Sequence, residues 1–157
     1  MKKNEFGRSM VEILGVLASI GVLSIAGLYG YTVAMRKHKA NEVIHAVIIR
    51  ANQAATRVMQ GIPENEVKLD NASLPTGEYS FEVASCETGP CSDITNQFKV
   101  VMTGTIPVDI CRQLYSDMGN NTVIRAMGRA NAYTSASDCG SAALTSLSFV
   151  FNKDLTH

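Results

Sequence analysis

The chain has 157 residues, of which 46% are hydrophobic, and it carries 14 basic and 14 acidic side chains. This length supports a single hydrophobic core and argues against a second globular domain. Because the formal net charge is zero and the basic residues form only one short cluster after the N-terminal leader, we expect no direct contact with nucleic acid.

The N-terminal part of the chain contains an apolar segment long enough to cross a membrane. Residues 13–35 include no charged side chain, and a basic cluster at residues 36–39 follows directly. As a helix the segment would span about 34 Å, close to the ~30 Å thickness of the hydrocarbon core of a bilayer. A cleavable secretory signal has a shorter apolar core and a small-residue cleavage site, so we interpret the segment as a single membrane span.

The orientation of this span does not follow from its flanking charges. Three basic residues stand on each side: Lys2, Lys3 and Arg8 before it, and Arg36, Lys37 and Lys39 after it. All four cysteines lie beyond residue 85, and disulfides form in oxidising compartments. We therefore expect a cytoplasmic N-terminus.

An acidic residue, Glu12, stands just inside the edge of the apolar segment. A carboxylate in a membrane helix costs up to about 2.5–3.5 kcal/mol at the centre of the bilayer and less near the ends. Glu12 therefore either reaches the lipid headgroups or meets a positively charged partner.

The residues around Glu12 form a specific pattern. A short basic leader ends at Gly7 (KKNEFG, residues 2–7), and Glu12 is the fifth residue after that glycine, at the start of an unbroken apolar helix. Residues 1–40 thereby resemble type IV prepilins. The short leader is typical of the type IVa branch, whereas the segment IPVDIC at residues 106–111, which precedes a short helix, is more similar to the type IVb branch.

This resemblance implies a route of processing and assembly. A prepilin peptidase would cleave between Gly7 and Arg8 and methylate the new amine, although Arg8 stands where the family usually has phenylalanine or methionine. Glu12 would then pair with the free amine of a neighbouring subunit, so its charge is costly alone and favourable in a polymer. The precursor would reside in the bacterial inner membrane and self-assemble into an extracellular pilus with the help of an assembly platform and an ATPase.

Glycine is frequent in the apolar segment, at Gly15, Gly21, Gly27 and Gly30. Each costs roughly 0.5–1 kcal/mol relative to alanine in a helix interior. Small residues that allow close packing of helices fall near one face, namely Gly15, Ser19, Ala26, Gly30 and Ala34. Glycine is also commoner in membrane helices generally. The resemblance implies that Gly21 and Gly27 mark a part of the helix that loosens in the filament.

The helix is predicted to continue beyond the membrane. From Ala40 to Met59 apolar residues recur at three- and four-residue steps, while Arg50 and other polar residues fall mainly elsewhere. Gly61 and Pro63 are typical of a helix C-terminus. We therefore divide the chain into a cleaved leader (1–7), a long helix (8–60, apolar over 10–35) and a disulfide-containing head (61–157).

The head is predicted to combine strands with one short helix. Residues 62–77 predict a connection, alternating patterns predict strands at 79–84, 98–103, 147–151 and less cleanly 122–127, and residues 107–118 predict a helix that ends at 119–121. An antiparallel sheet of about four strands, packed on the second half of the long helix, would bury both amphipathic faces. The predicted fold class is α+β.

The four cysteines, Cys86, Cys91, Cys111 and Cys139, allow three pairings, and the sequence alone does not select one. We favour Cys86 with Cys91 around a tight turn, and Cys111 with Cys139 between the short helix and the Ser/Thr-rich residues 134–146. The resemblance agrees, since many pilins bound an exposed region with a C-terminal disulfide. Irregular spacing argues against a zinc site, and the lack of histidine between Cys86 and Cys139 argues against a catalytic thiol.

No motif typical of an enzyme is present: no glycine-rich loop joins a strand to a helix, and Glu64 and Glu66 are interpreted as solvated loop charges. We expect no catalytic, cofactor or metal site. Three hypotheses follow: a type IVb-like pilus subunit, a minor pilin or type II secretion pseudopilin, and a single-span anchored periplasmic binding domain. Adhesion, motility, DNA uptake, conjugation and secretion are all compatible with the first.

Overall fold

The computed structural model describes residues 5–69, 79–119, 121–129 and 135–154, with side chains from residue 10 onward. Its helices and strands are α1 (Glu5–Met59), β1 (Ser80–Ser85), β2 (Gln97–Ile106), α2 (Val108–Met118), β3 (Ala126–Gly128) and β4 (Leu144–Asn152). Short 3-10 helices occupy Glu64–Glu66 and Ala136–Cys139. The long helix and a four-stranded antiparallel sheet confirm the predicted α+β class. The chain divides into two compact units, Met1–Lys37 and His38–His157, and α1 contributes to both.

The sheet has the strand order β1-β2-β4-β3, with every neighbouring pair antiparallel. Alternate residues of each strand share a face, and we call the face that packs into the core with α1 the inner face. The central row of the inner face is fully formed across all four strands by Val83, Val100, Phe149 and Met127. Each of these side chains is buried. Next to this row the rings of Phe98 and Phe151 stack with centroids 5.8 Å apart.

The second half of α1 supplies the other side of this core. Its buried positions are mostly small, with Ala40, Ala46, Ala51, Ala54 and Ala55 beside Val43 and Val47. Alanine on this face lets the helix backbone approach the large side chains of the sheet, since volume must match across a packed interface. The prediction that Arg50 lies away from this face is wrong: Arg50 is 2% exposed, and its Nη1 donates to Gln53 Oε1 at 2.9 Å.

Helix α1 ends as its sequence predicts. The N–H of Gly61 donates to Val58 O at 3.0 Å, and the N–H of Ile62 donates to Arg57 O at 3.2 Å. This pair of bonds is a Schellman motif, which requires a left-handed residue after the helix, and Gly61 has φ +86°. Arg57 also donates from Nη1 to Lys68 O at 2.6 Å, so it holds the outgoing segment against the end of the helix.

Strand boundaries differ from the predicted ones. β2 and β4 extend beyond the predicted residues 98–103 and 147–151. Their backbones remain paired with each other from Gln97–Asn152 to Ile106–Leu144, where the side chains no longer alternate between apolar and polar. The prediction of a strand over 122–127 is wrong for residues 122–125, where the Asn121 side chain accepts the N–H of Val123 at 2.9 Å and bends the chain. Only Ala126–Gly128 pairs with β4. Parts of three predicted segments lie outside the described residues: residues 70–77 of the connection, Asn120 after the short helix, and Thr134 in the Ser/Thr-rich stretch.

Candidate functional site

The apolar part of α1 exposes its side chains around the whole helix. Exposed fractions run from 41% at Met35 to 72% at Ile25 for the large apolar residues Met10, Val11, Ile13, Leu14, Val16, Leu17, Ile20, Val22, Leu23, Ile25, Leu28, Tyr29, Tyr31 and Met35. Removing this many side chains from water is worth on the order of 20 kcal/mol. Within the described residues, α1 is also the helix whose length and composition suit a membrane span. This segment therefore needs cover from lipid or from other protein.

The serine and threonine hydroxyl groups within the apolar segment donate hydrogen bonds inside the helix. Ser19 Oγ donates to Gly15 O at 2.9 Å, Ser24 Oγ donates to Ile20 O at 2.8 Å, and Thr32 Oγ1 donates to Tyr29 O at 2.8 Å. Such back-bonding to the preceding turn lets a hydroxyl enter a medium without water. These three side chains are thus compatible with a hydrocarbon environment.

Glu12 lies in α1 with an exposed side chain, between the exposed Val11 and Ile13. Gly7 and Arg8 lie within the bounds of the same helix, which begins at Glu5, and the side chains of residues 5–9 and all of residues 1–4 are outside the described part. Arg8 precedes Glu12 by four residues, or about one helical turn. Cleavage after Gly7 would therefore create an amine about 6 Å along the helix from the Glu12 backbone and on the same face.

No contact within the described chain requires glycine in the apolar segment. A Cβ atom added at Gly15, Gly21, Gly27 or Gly30 would meet no atom from elsewhere in the chain within 4 Å. Backbone freedom is not needed there either, because all four residues are helical. A single copy of the chain thus gives no packing reason for these glycines.

The structure contains the two disulfides favoured from the sequence, Cys86–Cys91 and Cys111–Cys139. The second joins α2 to the 3-10 helix Ala136–Cys139, and both of its cysteines are buried. A capping box between Ser135 and Asp138 starts that short helix, with the Ser135 N–H donating to Asp138 Oδ2 at 2.8 Å. The Cys111–Cys139 disulfide therefore anchors the described residues 135–140 to the core through α2.

A turn between the two disulfides was not predicted. Gln97 is buried, and its Oε1 accepts the N–H groups of Ser92 and Asp93, each at 3.0 Å. Asp93 Oδ1 accepts from the Thr95 hydroxyl at 2.7 Å and from the Thr95 N–H at 3.0 Å. These hydrogen bonds from Thr95 lower the pKa of Asp93. The Asp-x-Thr spacing was the available signal, since Asp side chains often bond the backbone two residues later.

The prediction that Glu64 is a solvated loop charge is wrong, because its side chain is mostly buried in an ion pair. Its Oε1 lies 2.7 Å from Lys153 Nζ, whereas Glu66 is exposed as expected. No local sequence pattern could predict the Glu64–Lys153 pair, because the two residues belong to opposite ends of the head sequence. The described residues hold no group of three or more His, Cys, Asp or Glu side chains suited to a metal ion.

Comparisons of the chain with protein-family models, with curated proteins and with solved structures found no match. Its function is therefore inferred from its own residues and geometry.

Proposed function

We propose that this chain is the precursor of a type IV pilus subunit, most similar to the type IVb branch, that polymerises through the apolar part of α1. The observation that carries the proposal is Glu12, an exposed carboxylate at the start of the part of α1 whose large apolar side chains are exposed. A lipid bilayer alone accounts for the apolar surface. Lipid headgroups would also accommodate a carboxylate near this edge, so it is the position of Glu12, five residues after the glycine of a basic leader, that favours a partner in a neighbouring subunit.

Polymerisation accounts for both features. In a bundle of such helices the apolar side chains cover one another, and Glu12 is removed from water together with a cation from the next subunit. A buried carboxylate is tolerated when an opposite charge and hydrogen bonds compensate for its lost hydration. After cleavage at Gly7, the first residue would be Arg8, which brings both an α-amine and a guanidinium to that position.

The open glycines support the same conclusion. Helices associate in a membrane without a hydrophobic driving force, so close backbone approach at small residues supplies the packing. Gly15 and Gly21 are uncovered in the single chain and would be covered in the polymer. The two disulfides suit a head that is exported, which is consistent with a cytoplasmic N-terminus before assembly.

The proposal implies specific partners. These are other copies of the chain, a prepilin peptidase acting between Gly7 and Arg8, an assembly platform and its ATPase, and the inner membrane before assembly. A minor pilin or secretion pseudopilin would share the cleavage and differ in abundance, so the quantity of the chain in fibres separates these roles from that of a main subunit.

N-terminal sequencing of fibres sheared from cells tests the proposal. We expect the abundant fibre protein to begin at Arg8, and we expect a Gly7→Leu chain to retain its leader and to form no fibres. Asn4→Ala, in the same leader and away from the cleaved bond, is the matched control and should leave processing intact. A chain that begins at Met1 in fibres, or one that is folded in the membrane and absent from fibres of every kind, would contradict the proposal.

A further inference from the structure

The face of the sheet opposite to the inner face, here called the outer face, is covered at its centre. Val150 is 0% exposed and Ser148 is 8% exposed, although both alternate with the inner-face residues of β4. Val150 pairs with Lys99 on β2 and with Ala126 on β3. Because β4 is an interior strand of the sheet, the burial of Val150 requires cover from groups outside its own strand.

The loop closed by the first disulfide, residues 86–91, lies over the same face of the sheet. Lys99 Nζ donates to Thr88 O, which fixes the loop above β2. A Cβ atom on Gly89 would lie 3.3 Å from Arg129 O, so the loop also contacts the residue that follows β3. β4 lies between β2 and β3, so a loop that contacts both Lys99 and Arg129 lies over the outer face of the sheet near Val150. Pro90 is buried, as expected for a residue pressed onto the sheet.

The two disulfides differ in their accessibility. Cys111 and Cys139 are 0% and 1% exposed, and the helix and 3-10 helix that carry them are joined further by the Arg112 Nη2 donation to Gly140 O at 3.4 Å. Cys86 is 3% exposed, whereas Cys91 is only half-buried. Cys91 is thus the least buried of the four cysteines, so a thiolate should reach the Cys86–Cys91 bond with less opening of the fold than the Cys111–Cys139 bond, whose two cysteines are both fully buried.

We propose that the Cys86–Cys91 bond is a redox-sensitive closure of the outer face: a dithiol reductant opens it while Cys111–Cys139 stays oxidised, and the opened loop uncovers the row of Val150 and Ala126. The inference goes beyond the filament function and does not depend on it. The disulfide holds both ends of the loop together. After reduction, only the contacts with Lys99 and Arg129 hold the loop on the sheet, and the gain in chain entropy favours its release.

The chemistry is a two-electron exchange. One thiolate of the dithiol attacks Cys91 Sγ, forms a mixed disulfide and displaces the Cys86 thiolate, which takes up a proton. The second thiol of the reductant, as its thiolate, attacks the reductant's own sulfur in that mixed disulfide and displaces the Cys91 thiolate, which is then protonated. The dithiol is oxidised to its cyclic disulfide, and the protein gains two thiols.

The order of reduction is the first test. The oxidised full-length chain in non-ionic detergent is treated with dithiothreitol for increasing times, trapped with N-ethylmaleimide and mapped by peptide mass spectrometry. We expect Cys86 and Cys91 to be labelled at least tenfold faster than Cys111 and Cys139. Equal rates, or faster labelling of the second pair, would overturn the proposal.

Release of the loop is the second test, measured by hydrogen exchange on the same samples. Selective reduction should raise exchange severalfold in residues 86–91 and 126–129 and leave α2, residues 108–118, unchanged. The variant Cys86→Ser/Cys91→Ser should show the same pattern without any reductant. If its residues 86–91 exchange as slowly as those of the oxidised protein, the disulfide does not hold the cover and the proposal is wrong.

Discussion

Lys153 Nζ lies 2.7 Å from Glu64 Oε1 and thereby joins the segment after α1 to the residue that follows β4. The Lys153 side chain is 29% exposed and that of Glu64 is 21% exposed. The backbone N–H of Lys153 donates to Asn96 O at 2.8 Å. Three segments that are distant in sequence thus meet at Lys153, and the ion pair connects the two ends of the head.

This ion pair predicts a pH dependence of stability. The hydrogen bond from Lys153 lowers the pKa of Glu64, with partial burial opposing it. A carboxylate whose pKa is lower in the folded state stabilises the fold above its unfolded pKa of about 4.3, and this contribution is lost as the pH falls through the folded value. Because both groups are partly exposed, we expect Glu64→Gln to cost about 0.5–1 kcal/mol at pH 7 and progressively less below about pH 4.

Thermal unfolding of the head by circular dichroism in non-ionic detergent measures this difference. Glu66→Gln is the matched control, since Glu66 belongs to the same 3-10 helix and is exposed. A cost for Glu64→Gln that is equal at pH 7 and pH 3, or a cost no greater than that of the control, would contradict the assignment.

Gly89 should be the least replaceable of the described glycines on the head surface. Its φ is +107°, and a Cβ would lie 3.3 Å from Arg129 O, so alanine there is strained and crowded at once. We expect Gly89→Ala to destabilise the head by about 1–3 kcal/mol. Gly119→Ala is the control, because Gly119 has φ −59° and its added Cβ would meet Ser116 O at an ordinary 3.6 Å. Equal unfolding midpoints for the two variants would refute the claim that the loop requires glycine at residue 89.

Glu12 should be required for assembly and dispensable for membrane insertion. We expect Glu12→Gln to insert normally, because removing a charge from a membrane helix lowers the cost of insertion, and to reduce fibre yield at least tenfold. Membrane fractionation and the quantity of sheared fibres measure the two properties. Glu42→Gln is the control, since Glu42 belongs to the second unit and lies 3.6 Å from His38 Nδ1. Normal fibre yield from Glu12→Gln would show that the carboxylate is not needed for assembly, whereas a folded membrane protein that forms no fibres with or without the substitution would favour a single-span anchored binding domain.

The glycines of the apolar segment should affect the polymer and not the single chain. Gly15→Leu introduces a bulky group where the isolated chain has open space, so the helicity of the subunit in detergent should stay equal or rise. If helices of neighbouring subunits approach at Gly15, the same change should reduce fibre yield severalfold. Val16→Leu, at an adjacent residue that is 60% exposed, is the control. Equal fibre yields from the two variants would show that Gly15 is not a contact position.

Much of the fold was predictable because its signals are local. Hydrophobic periodicity and the Gly61 and Pro63 pair placed the end of α1 within one residue of Met59. Alternation located the cores of β1, β2 and β4, and the short spacing of Cys86 and Cys91 suggested their bond. Each of these features depends on neighbours within a few residues, which a linear pattern records.

The errors concern features that depend on distant residues. Arg50 resembles a solvent-facing side chain in the helical pattern, yet it is buried, because burial along α1 also depends on which distant residues pack against the helix. Residues 122–125 alternate as a strand does, yet the Asn121 side chain takes the backbone N–H of Val123 that a strand would need for pairing. The first disulfide loop contacts Lys99 and Arg129, which are distant from it in the chain, and no short pattern encodes these contacts.

By itself the amino-acid order determined the elements of this protein: an apolar helix with one acid near its start, an amphipathic continuation, and strands suited to one sheet. Tertiary packing alone decided which strands are neighbours, that Glu64 meets Lys153, and that the first disulfide loop lies over the outer face of the sheet. The physical reason is that helices and strands follow from short-range backbone and side-chain preferences. Contacts between elements follow from burying complementary surfaces that are tens of residues apart in the chain.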